Sequence, residues 1–177
     1  LQNKFPNNLY FQTIGAPISV YGDKHILPAP MGSLDQKHDN NELTNWIEKY
    51  DLRDKDGIAS EKLDGSSCQL KYPNGQLTAA YSRGDGIEGE CILRNILNIP
   101  SIPKHINHSE ELIIRGEILI DPKVFEEKYK NSFANRRNMV AGVLRRKIPN
   151  IEVLNDFVFI AHEYVNNDSM TKENSYN

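Results

Sequence analysis

The amino-acid sequence predicts an α+β fold with antiparallel sheets and flanking helices. Strand-like and helix-like segments follow one another without the strict β-α-β alternation that is typical of parallel sheets. An Asn-Gly pair stands between two runs that alternate apolar and polar residues, which is the strongest short-range signal for a β-hairpin. The length of 177 residues allows one domain with an arm, and such a chain can bury a substantial core.

The first 34 residues predict an extended N-terminal arm with short strands, because prolines and glycines interrupt them repeatedly. Ser33 or Asp35 can cap the helix that follows. The apolar residues of this helix fall on one face and are Leu43, Trp46, Ile47 and Tyr50. We expect a folded domain over residues 35–165 and a polar, disordered tail over 166–177.

The hairpin occupies the middle of the chain. A strand leading into it is predicted over residues 58–62, and Asn74-Gly75 forms its turn. The alternating apolar residues on its two sides are Cys68, Leu70 and Tyr72, then Leu77, Ala79 and Tyr81. A glycine-rich loop over residues 83–90 then opens a helix that ends at Pro100.

The second half of the chain predicts two strands and two helices. Residues 111–120 and 156–165 are apolar runs of strand length. Asp121 followed by Pro122 is a helix N-cap with proline at the first helical position, and a second helix is expected over residues 137–146.

Composition and charge exclude several classes of protein. The chain has 21 basic and 24 acidic residues, so it does not bind nucleic acid through positive charge over its whole surface. It has no apolar run of membrane-spanning length and no signal peptide, so we expect a cytoplasmic protein without membrane partners. Cys68 and Cys91 are too few for a disulfide framework or a zinc site, and we expect both to be reduced.

Residues 62–65, Lys-Leu-Asp-Gly, place a lysine close to a carboxylate. A lysine that acts as a nucleophile must lose its proton, which the ordinary lysine pKa of ~10.4 opposes near neutral pH. Burial or nearby cations lower that value. A surface Lys–Asp pair at a turn is the alternative interpretation of these four residues taken alone.

Three further segments carry charge that a ligand could use. Arg83 opens the loop over residues 83–90, whose glycines let a ligand approach the backbone. Arg115 and Glu117 lie within an apolar strand and need a partner or a ligand, so a structural ion pair and a binding site are both open. The third is a basic segment, which comprises Arg136, Arg137, Arg145, Arg146 and Lys147. Its side chains either contact phosphates or face solvent.

In this order and spacing, six segments resemble the adenylation domain of NAD-dependent DNA ligases. They are MGSLDQ (31–36), KLDG (62–65), YPNGQLTAAYSRGDGIEGE (72–90), NILNIPSIP (95–103), IIRGEILI (113–120) and FANRRNMVAGVLRR (133–146). The RGDGxxGE block with the NxxxIPxIP segment is specific to this branch, whereas KxDG alone also fits ATP-dependent ligases, RNA ligases and capping enzymes. The resemblance implies a nucleotidyltransferase fold and a covalent lysyl-AMP intermediate.

The resemblance also implies a role for each matching residue. Lys62 would attack the α-phosphate of NAD and carry the AMP, with Asp64 beside the nucleophile and Glu117 at the ribose. Arg83 would bind the nucleotide and later the DNA end. Ser33 and Leu34 would contact the nicotinamide side of NAD. Arg137 and Arg145 would contact DNA and phosphate. The family uses Mg²⁺, for which Asp64 and Glu117 are candidate neighbours without being firm ligands.

The chain departs from the family pattern at two places. The glutamate that reads adenine normally stands two residues before the lysine, where this chain has Ser60, and Glu61 lies one residue closer. Phe159, His162 and Tyr164 are candidates for the aromatic residue that stacks on the base, and His162 aligns best. After Glu117 the sequence has Gly142 as its one glycine, so the later D-G-x-V-x-K segment of the family is missing from it.

We therefore expect a subunit or fragment of a ligase that acts on nicked double-stranded DNA. A second subunit would carry the missing motifs and the OB domain, and the location would be the host cytoplasm if a phage encodes the chain. Two alternatives stay open. One is an RNA ligase or capping-type transferase that uses a nucleoside triphosphate, and the other is a non-catalytic nucleic-acid-binding remnant of the fold.

Overall fold

A computed structural model describes residues 23–33, 36–56 and 60–165, which form two compact units. Of the described residues, 23–31 and 64–165 form the larger unit, and 32–33, 36–56 and 60–63 form the smaller one. The strands are β1 (Lys24–Ile26), β2 (Ser66–Tyr72), β3 (Ala79–Ser82), β4 (Glu88–Glu90), β5 (Leu112–Ile120) and β6 (Phe157–Val165). The helices are α1 (Asn40–Lys49), α2 (Leu93–Ile96), α3 (Pro122–Lys128), α4 (Arg136–Leu144) and α5 (Ile151–Leu154). The tail predicted over residues 166–177 lies outside the described residues.

The larger unit is built on a four-stranded antiparallel sheet in the order β3-β2-β5-β6. Strand β2 pairs with β3 on one side and with β5 on the other, so it lies inside the sheet. Strands β1 and β4 form a separate two-stranded antiparallel sheet. The combination of helices with antiparallel sheets confirms the predicted α+β class.

The Asn-Gly hairpin forms between β2 and β3, as predicted. A short 3-10 turn over Pro73–Gly75 joins the strands, with positive φ angles of 51° at Asn74 and 74° at Gly75. A Cβ at Gly75 would lie 2.1 Å from the backbone oxygen of Ile106, so both space and backbone angle require glycine. The strand predicted over residues 58–62 is wrong in its described part, because residues 60–64 have no regular structure.

One face of the four-stranded sheet packs against helices and forms the core. Side chains alternate along a strand, so Cys68, Leu70 and Tyr72 share this face of β2, and all three are buried. The other buried residues of this core include Ile92, Ile96, Ile118, Ile120, Met139, Val140 and Val143. The opposite face of the sheet is therefore the one on which polar groups can be placed.

Polar side chains cap the helices around this core. Asp121 accepts hydrogen bonds from the amides of the first turn of α3, which confirms the predicted helix start. Asn135 caps α4, which begins one residue before the predicted range and ends at Leu144. The sequence pattern does not predict α5, because four residues are too few to show a helical period. In the parts of the chain that the structure describes, no helix is long and apolar enough to span a bilayer.

The smaller unit holds α1 in its described part. The predicted helix is present, but its cap is Asp39 and not Ser33 or Asp35, of which Asp35 lies outside the described residues. Asp39 Oδ1 accepts a hydrogen bond from the Glu42 amide at 2.8 Å, and Glu42 Oε2 accepts one from the His38 amide at 2.9 Å. These reciprocal bonds satisfy amides at the helix start that have no partner within the helix.

A hydrogen bond ties the end of α3 to the turn before β6. Tyr129 donates its hydroxyl to Asp156 Oδ2 at 2.6 Å, and Lys128 Nζ lies 3.0 Å from the same oxygen. The Tyr129 hydrogen bond and, after it, Lys128 lower the pKa of Asp156. A carboxyl group whose pKa is lowered by folding stabilises the protein above its unfolded pKa. That contribution is lost as the pH falls through the folded value.

We expect Tyr129→Phe to lower the free energy of unfolding by about 1–2 kcal/mol at pH 7. The loss should shrink as the pH falls below about 4, because the Asp156 carboxyl takes up a proton first in the unfolded chain and then, at its lowered pKa, in the folded one. Chemical denaturation at pH 7 and pH 3 measures both values. Tyr72→Phe is the matched control, since Tyr72 donates to a neutral acceptor, the Pro103 carbonyl oxygen, at 2.9 Å. Equal losses for Tyr129→Phe at the two pH values would contradict the role of the Asp156 charge.

Candidate active site

The second face of the sheet carries polar side chains that are buried. Ser67 on β2 pairs with Glu117 on β5, and Gln69 pairs with Arg115, so the four side chains form two adjacent rows. Gln69 is fully buried, and Arg115 and Glu117 are 5% and 6% exposed. Because a buried charge is costly unless it is paired, Arg115 and Glu117 each require a nearby partner.

Glu117 has its partner at the end of the KLDG motif. Its Oε1 atom accepts a hydrogen bond from the Gly65 amide at 3.0 Å. A Cβ at Gly65 would lie 2.1 Å from the backbone oxygen of Ile118, so the chain can approach β5 this closely only with glycine. The KLDG and RGE motifs, which are 50 residues apart in the sequence, therefore meet at this hydrogen bond.

Asp64 stands next to this hydrogen bond and is paired with α4. Arg137, in the first turn of that helix, places Nη1 3.7 Å from Asp64 Oδ1. The two side chains are 64% and 49% exposed, so the ion pair is solvated and contributes little to stability. An exposed pair of this kind separates at low cost when a phosphate or a metal ion binds.

The predicted nucleophile lies in an irregular segment of the smaller unit. Lys62 and Glu61 are both exposed, as is Ser33, whereas Leu34 lies outside the described residues. The structure divides the predicted site residues between the units. Ser33, Glu61 and Lys62 belong to the smaller unit, and Asp64, Arg83, Glu117, Arg137, Arg145 and His162 belong to the larger one.

The glycine-rich loop after β3 is a tightly closed turn. Gly84 has a φ angle of 55°, and a Cβ there would lie 1.8 Å from the backbone oxygen of Glu88. Asp85 Oδ1 accepts hydrogen bonds from the Glu88 and Ile87 amides, and these bonds lower the pKa of Asp85. Asp85 therefore holds the loop together, and Arg83, which is partly buried at its start, is the candidate for contact with a ligand.

A β-bulge sets the position of His162 on β6. Arg115 pairs with Glu163 and Gly116 pairs with Ala161, so His162 is the additional residue between them. His162 is exposed and lines an open groove. The other residues that line this groove are His108, Leu112, Ile114, Ala161, Glu163 and Tyr164. The bulge thus places an aromatic ring beside apolar side chains, where a flat base could pack.

Arg145 directly follows α4 and is paired with a different carboxylate. Its Nε atom lies 3.1 Å from Glu90 Oε2. The buried amide of Asn95 donates to the carbonyl oxygens of Leu144 and Arg146, at 2.8 and 3.0 Å, and fixes the end of the helix. Arg137 and Arg145 thus each contact an acidic side chain, and a phosphate that binds either one takes the place of a carboxylate.

The sequence analysis missed Gln69, which belongs to the polar face of the sheet. Position 69 is a polar position of an alternating strand, a pattern that normally indicates exposure. Gln69 instead pairs with the backbone of Ala29, and nothing in the alternation distinguishes it from an exposed residue. For Arg115 the structure shows an ion pair, because its Nη1 atom lies 2.8 Å from Glu163 Oε2.

Burial of the sheet also determines the state of one cysteine. Cys68 is fully buried on the core face of β2. Burial, and then the negative charge of Glu117, raise the pKa of the Cys68 thiol. A thiol that stays protonated is a poor nucleophile, so Cys68 is a packing residue of the core.

Comparisons with known proteins give an independent indication of the family. The family model for the NAD-dependent DNA ligase adenylation domain matches residues 23–177. A DNA ligase of Mesomycoplasma hyopneumoniae (strain J) is 39% identical over 141 residues, which are 76% of this chain and 20% of that protein. A DNA ligase of Borrelia recurrentis (strain A1) is 36% identical over 171 residues, 88% of this chain and 25% of that protein. A DNA ligase of Tropheryma whipplei (strain Twist) is 38% identical over 152 residues, 80% of this chain and 24% of that protein.

This chain spans a fifth to a quarter of the length of these relatives. The matched region, residues 23–177, contains all six segments on which the resemblance rested. The resemblance found in the sequence is confirmed, and the chain belongs to the NAD-dependent DNA ligase adenylation domain family.

Proposed function

We propose that this chain is the adenylating part of an NAD-dependent DNA ligase. It would transfer AMP from NAD to Lys62 and then to the 5′-phosphate of nicked DNA, acting in the cytoplasm, or in the host cytoplasm if a phage encodes it. The observation that carries this proposal is the 3.0 Å hydrogen bond between the Gly65 amide and Glu117 Oε1. It anchors the chain three residues after Lys62 to the buried carboxylate that the family places at the ribose.

The proposed first step is nucleophilic. Deprotonated Lys62 Nζ attacks the α-phosphorus of NAD, a P–N bond forms, and the P–O bond to the nicotinamide nucleotide breaks. Nicotinamide mononucleotide leaves with the electron pair of the broken bond. Glu117 Oε1 already accepts the Gly65 amide, so Oε2 is the oxygen that we assign to a ribose hydroxyl. The remaining NAD contacts that we propose are made by Ser33, Leu34, Glu61, Arg83 and His162.

Mg²⁺ fits this site through a small number of carboxylates. This ion is usually held by one or two carboxylates together with substrate phosphates, and seldom by a cage made entirely of protein. The described residues contain no group of three side chains that could hold a metal on their own. Asp64 is the more accessible donor, because it is exposed and its pair with Arg137 is loose, and Glu117 is the second. The ion, when bound, would offset phosphate charge.

Nicked double-stranded DNA is the proposed second substrate, contacted by Arg83, Arg137 and Arg145. The net charge of −3 means that DNA binding must come from a few local cations. Arg137 and Arg145 are 49% and 57% exposed, each beside a carboxylate. A guanidinium can exchange a carboxylate for a phosphate, because its planar fork matches the oxygen pairs of both groups.

Lys62 is the proposed adenylated residue, and intact mass tests this directly. We expect a gain of one AMP after incubation with NAD and Mg²⁺. Lys62→Ala and Lys62→Arg should abolish it, because the motif assigns the attack to Lys62 and a guanidinium stays protonated. Lys71→Ala is the control, since Lys71 pairs with Glu111 on the surface and should keep the gain.

Three outcomes would change the assignment. A mass gain that survives in Lys62→Ala would exclude Lys62 as the nucleophile. A gain with ATP and none with NAD would favour an RNA ligase or capping-type activity. No gain with either nucleotide in the unmodified chain would favour a non-catalytic remnant of the fold.

Arg145 is proposed to contact a DNA phosphate, and Lys130 offers a matched control. Both side chains are 57% exposed and both are paired with a glutamate, Glu90 and Glu126 respectively. We expect Arg145→Ala to weaken binding to nicked DNA and to reduce the slope of log affinity against log salt by about 0.9. Lys130→Ala should change neither quantity. Equal effects of the two substitutions in a salt titration would show that Arg145 belongs to an ordinary solvated surface.

We also propose that sealing requires a second polypeptide with the later lysine motif and an OB domain. Sealing takes three phosphoryl transfers, and each builds negative charge that preorganised cations must offset. These 177 residues have no Asp-Gly pair after Glu117, so they lack the segment with which the family places further lysines at the phosphates. The loss of one such cation costs ~3 kcal/mol, which is about a hundredfold in rate.

The isolated chain should therefore seal nicks at about 1% or less of the rate that it reaches with its partner. A sealing assay with NAD and Mg²⁺, with and without a second polypeptide from the same genome, measures the ratio. The partner combined with the Lys62→Ala chain is the control, because it shows whether the partner seals by itself. Full turnover by these 177 residues alone would contradict the proposal.

A further inference from the structure

We propose that Gln69 and Arg115 are positioning residues for NAD, and that they act through residues 27–31, which we name the strap. The strap runs over the polar face of the sheet and leads directly to Ser33. The proposal rests on the proposed function, because it concerns how the residues assigned to the nicotinamide side of NAD are held. It assigns a role to Gln69 and Arg115, two buried polar side chains that take no part in the adenylation chemistry itself.

Buried hydrogen bonds fix the strap to the sheet. Gln69 Nε2 donates to the Ala29 carbonyl oxygen at 2.9 Å, and Gln69 Oε1 accepts from the Ala29 amide at 3.2 Å. The side chain thus pairs with both backbone groups of one residue, as a neighbouring strand would. Arg115 Nη2 donates to the Pro30 carbonyl oxygen, and its Nη1 donates to Glu163. Gln69 and Ala29 are both fully buried, so no water competes for these bonds.

The glycine-rich loop holds the other side of the strap. The Leu27 amide donates to the Ile87 carbonyl oxygen at 2.8 Å, and the Met31 amide donates to that of Gly86 at 2.7 Å. Gly86 has a φ angle of 99°, and a Cβ there would lie 2.7 Å from the Met31 backbone oxygen. The strap is therefore fixed from both sides, by the sheet and by the loop that begins with Arg83.

This fixation constrains the chain that follows. Ser33 is two residues beyond Met31 in the sequence, so the strap is the last fixed segment of the chain before it. Burial of an amide and a guanidinium is costly unless every bond is made. An apolar contact would hold the strap at a lower desolvation cost, but it would not fix which residue of the strap lies over which residue of the sheet. Gln69 and Arg115 specify one register of the strap, next to the row formed by Ser67 and Glu117.

The test compares NAD with AMP, which lacks the nicotinamide nucleotide. Calorimetry measures binding of both in a Lys62→Ala background, where no adenylation occurs. We expect Gln69→Leu, which keeps the side-chain volume, to weaken NAD binding about tenfold and to leave AMP binding within about twofold. Hydrogen exchange of the Ala29 amide should accelerate at least about tenfold, because this amide loses its acceptor. Arg115→Lys should change both quantities in the same direction and by less.

The control is Tyr72→Phe, which removes a hydrogen bond from the opposite face of β2. It should leave NAD binding and Ala29 exchange unchanged. The proposal is overturned if exchange accelerates while NAD binding stays the same, if NAD and AMP weaken equally, or if the Lys62→Ala chain binds no NAD. If Gln69→Leu does not fold, the same two measurements on Arg115→Lys test the proposal. Failure of the proposed function is a separate result, because it is measured as the absence of an AMP gain from NAD in the unmodified chain.

Discussion

The hydrogen bond from the Gly65 amide to Glu117 is the constraint on which the site depends. Glu117 is buried and needs a partner, and Gly65 can supply one because no Cβ separates it from β5. The bond is compatible with one register of the sheet, in which Ser67 faces Glu117. A shift by a single residue would turn Glu117 towards the apolar core, so packing of the core and geometry of the site are specified together.

The sheet separates two tasks between its faces. Apolar side chains on one face pack against helices α2 and α4, and polar side chains on the other face carry the candidate chemistry. Cys68 and Glu117 show how close the two environments are, because the carboxylate on one face raises the pKa of the thiol on the other. The core face excludes water, which strengthens every hydrogen bond that the polar face makes within the sheet.

Local features of the fold could be predicted from the sequence, and non-local features could not. The hairpin at Asn74-Gly75 and the cap at Asp121 depend on neighbouring residues, so their signals are complete within a few positions. The cap at Asp39 was missed because several residues in that segment can accept amide hydrogen bonds, and the sequence pattern does not choose among them. The roles of Gln69 and the extra residue His162 arise from pairing with distant segments, which no window of sequence contains.

Under the proposed function, the ion pairs of Arg137 and Arg145 account for how an acidic chain selects DNA. Asp64 and Glu90 each neutralise an arginine that the resemblance assigns to phosphate. Exposed pairs of this kind stabilise a protein by about 0–1 kcal/mol, so a phosphate can displace the carboxylate without a large loss of stability. Without a phosphate, each carboxylate lies beside its arginine and offsets the local positive charge. Under the proposed function, tight binding of nicked DNA would require several such exchanges at once, because a net charge of −3 gives no general attraction for phosphates. The proposal that these two arginines contact DNA is therefore linked to the proposal that a second polypeptide supplies further cations.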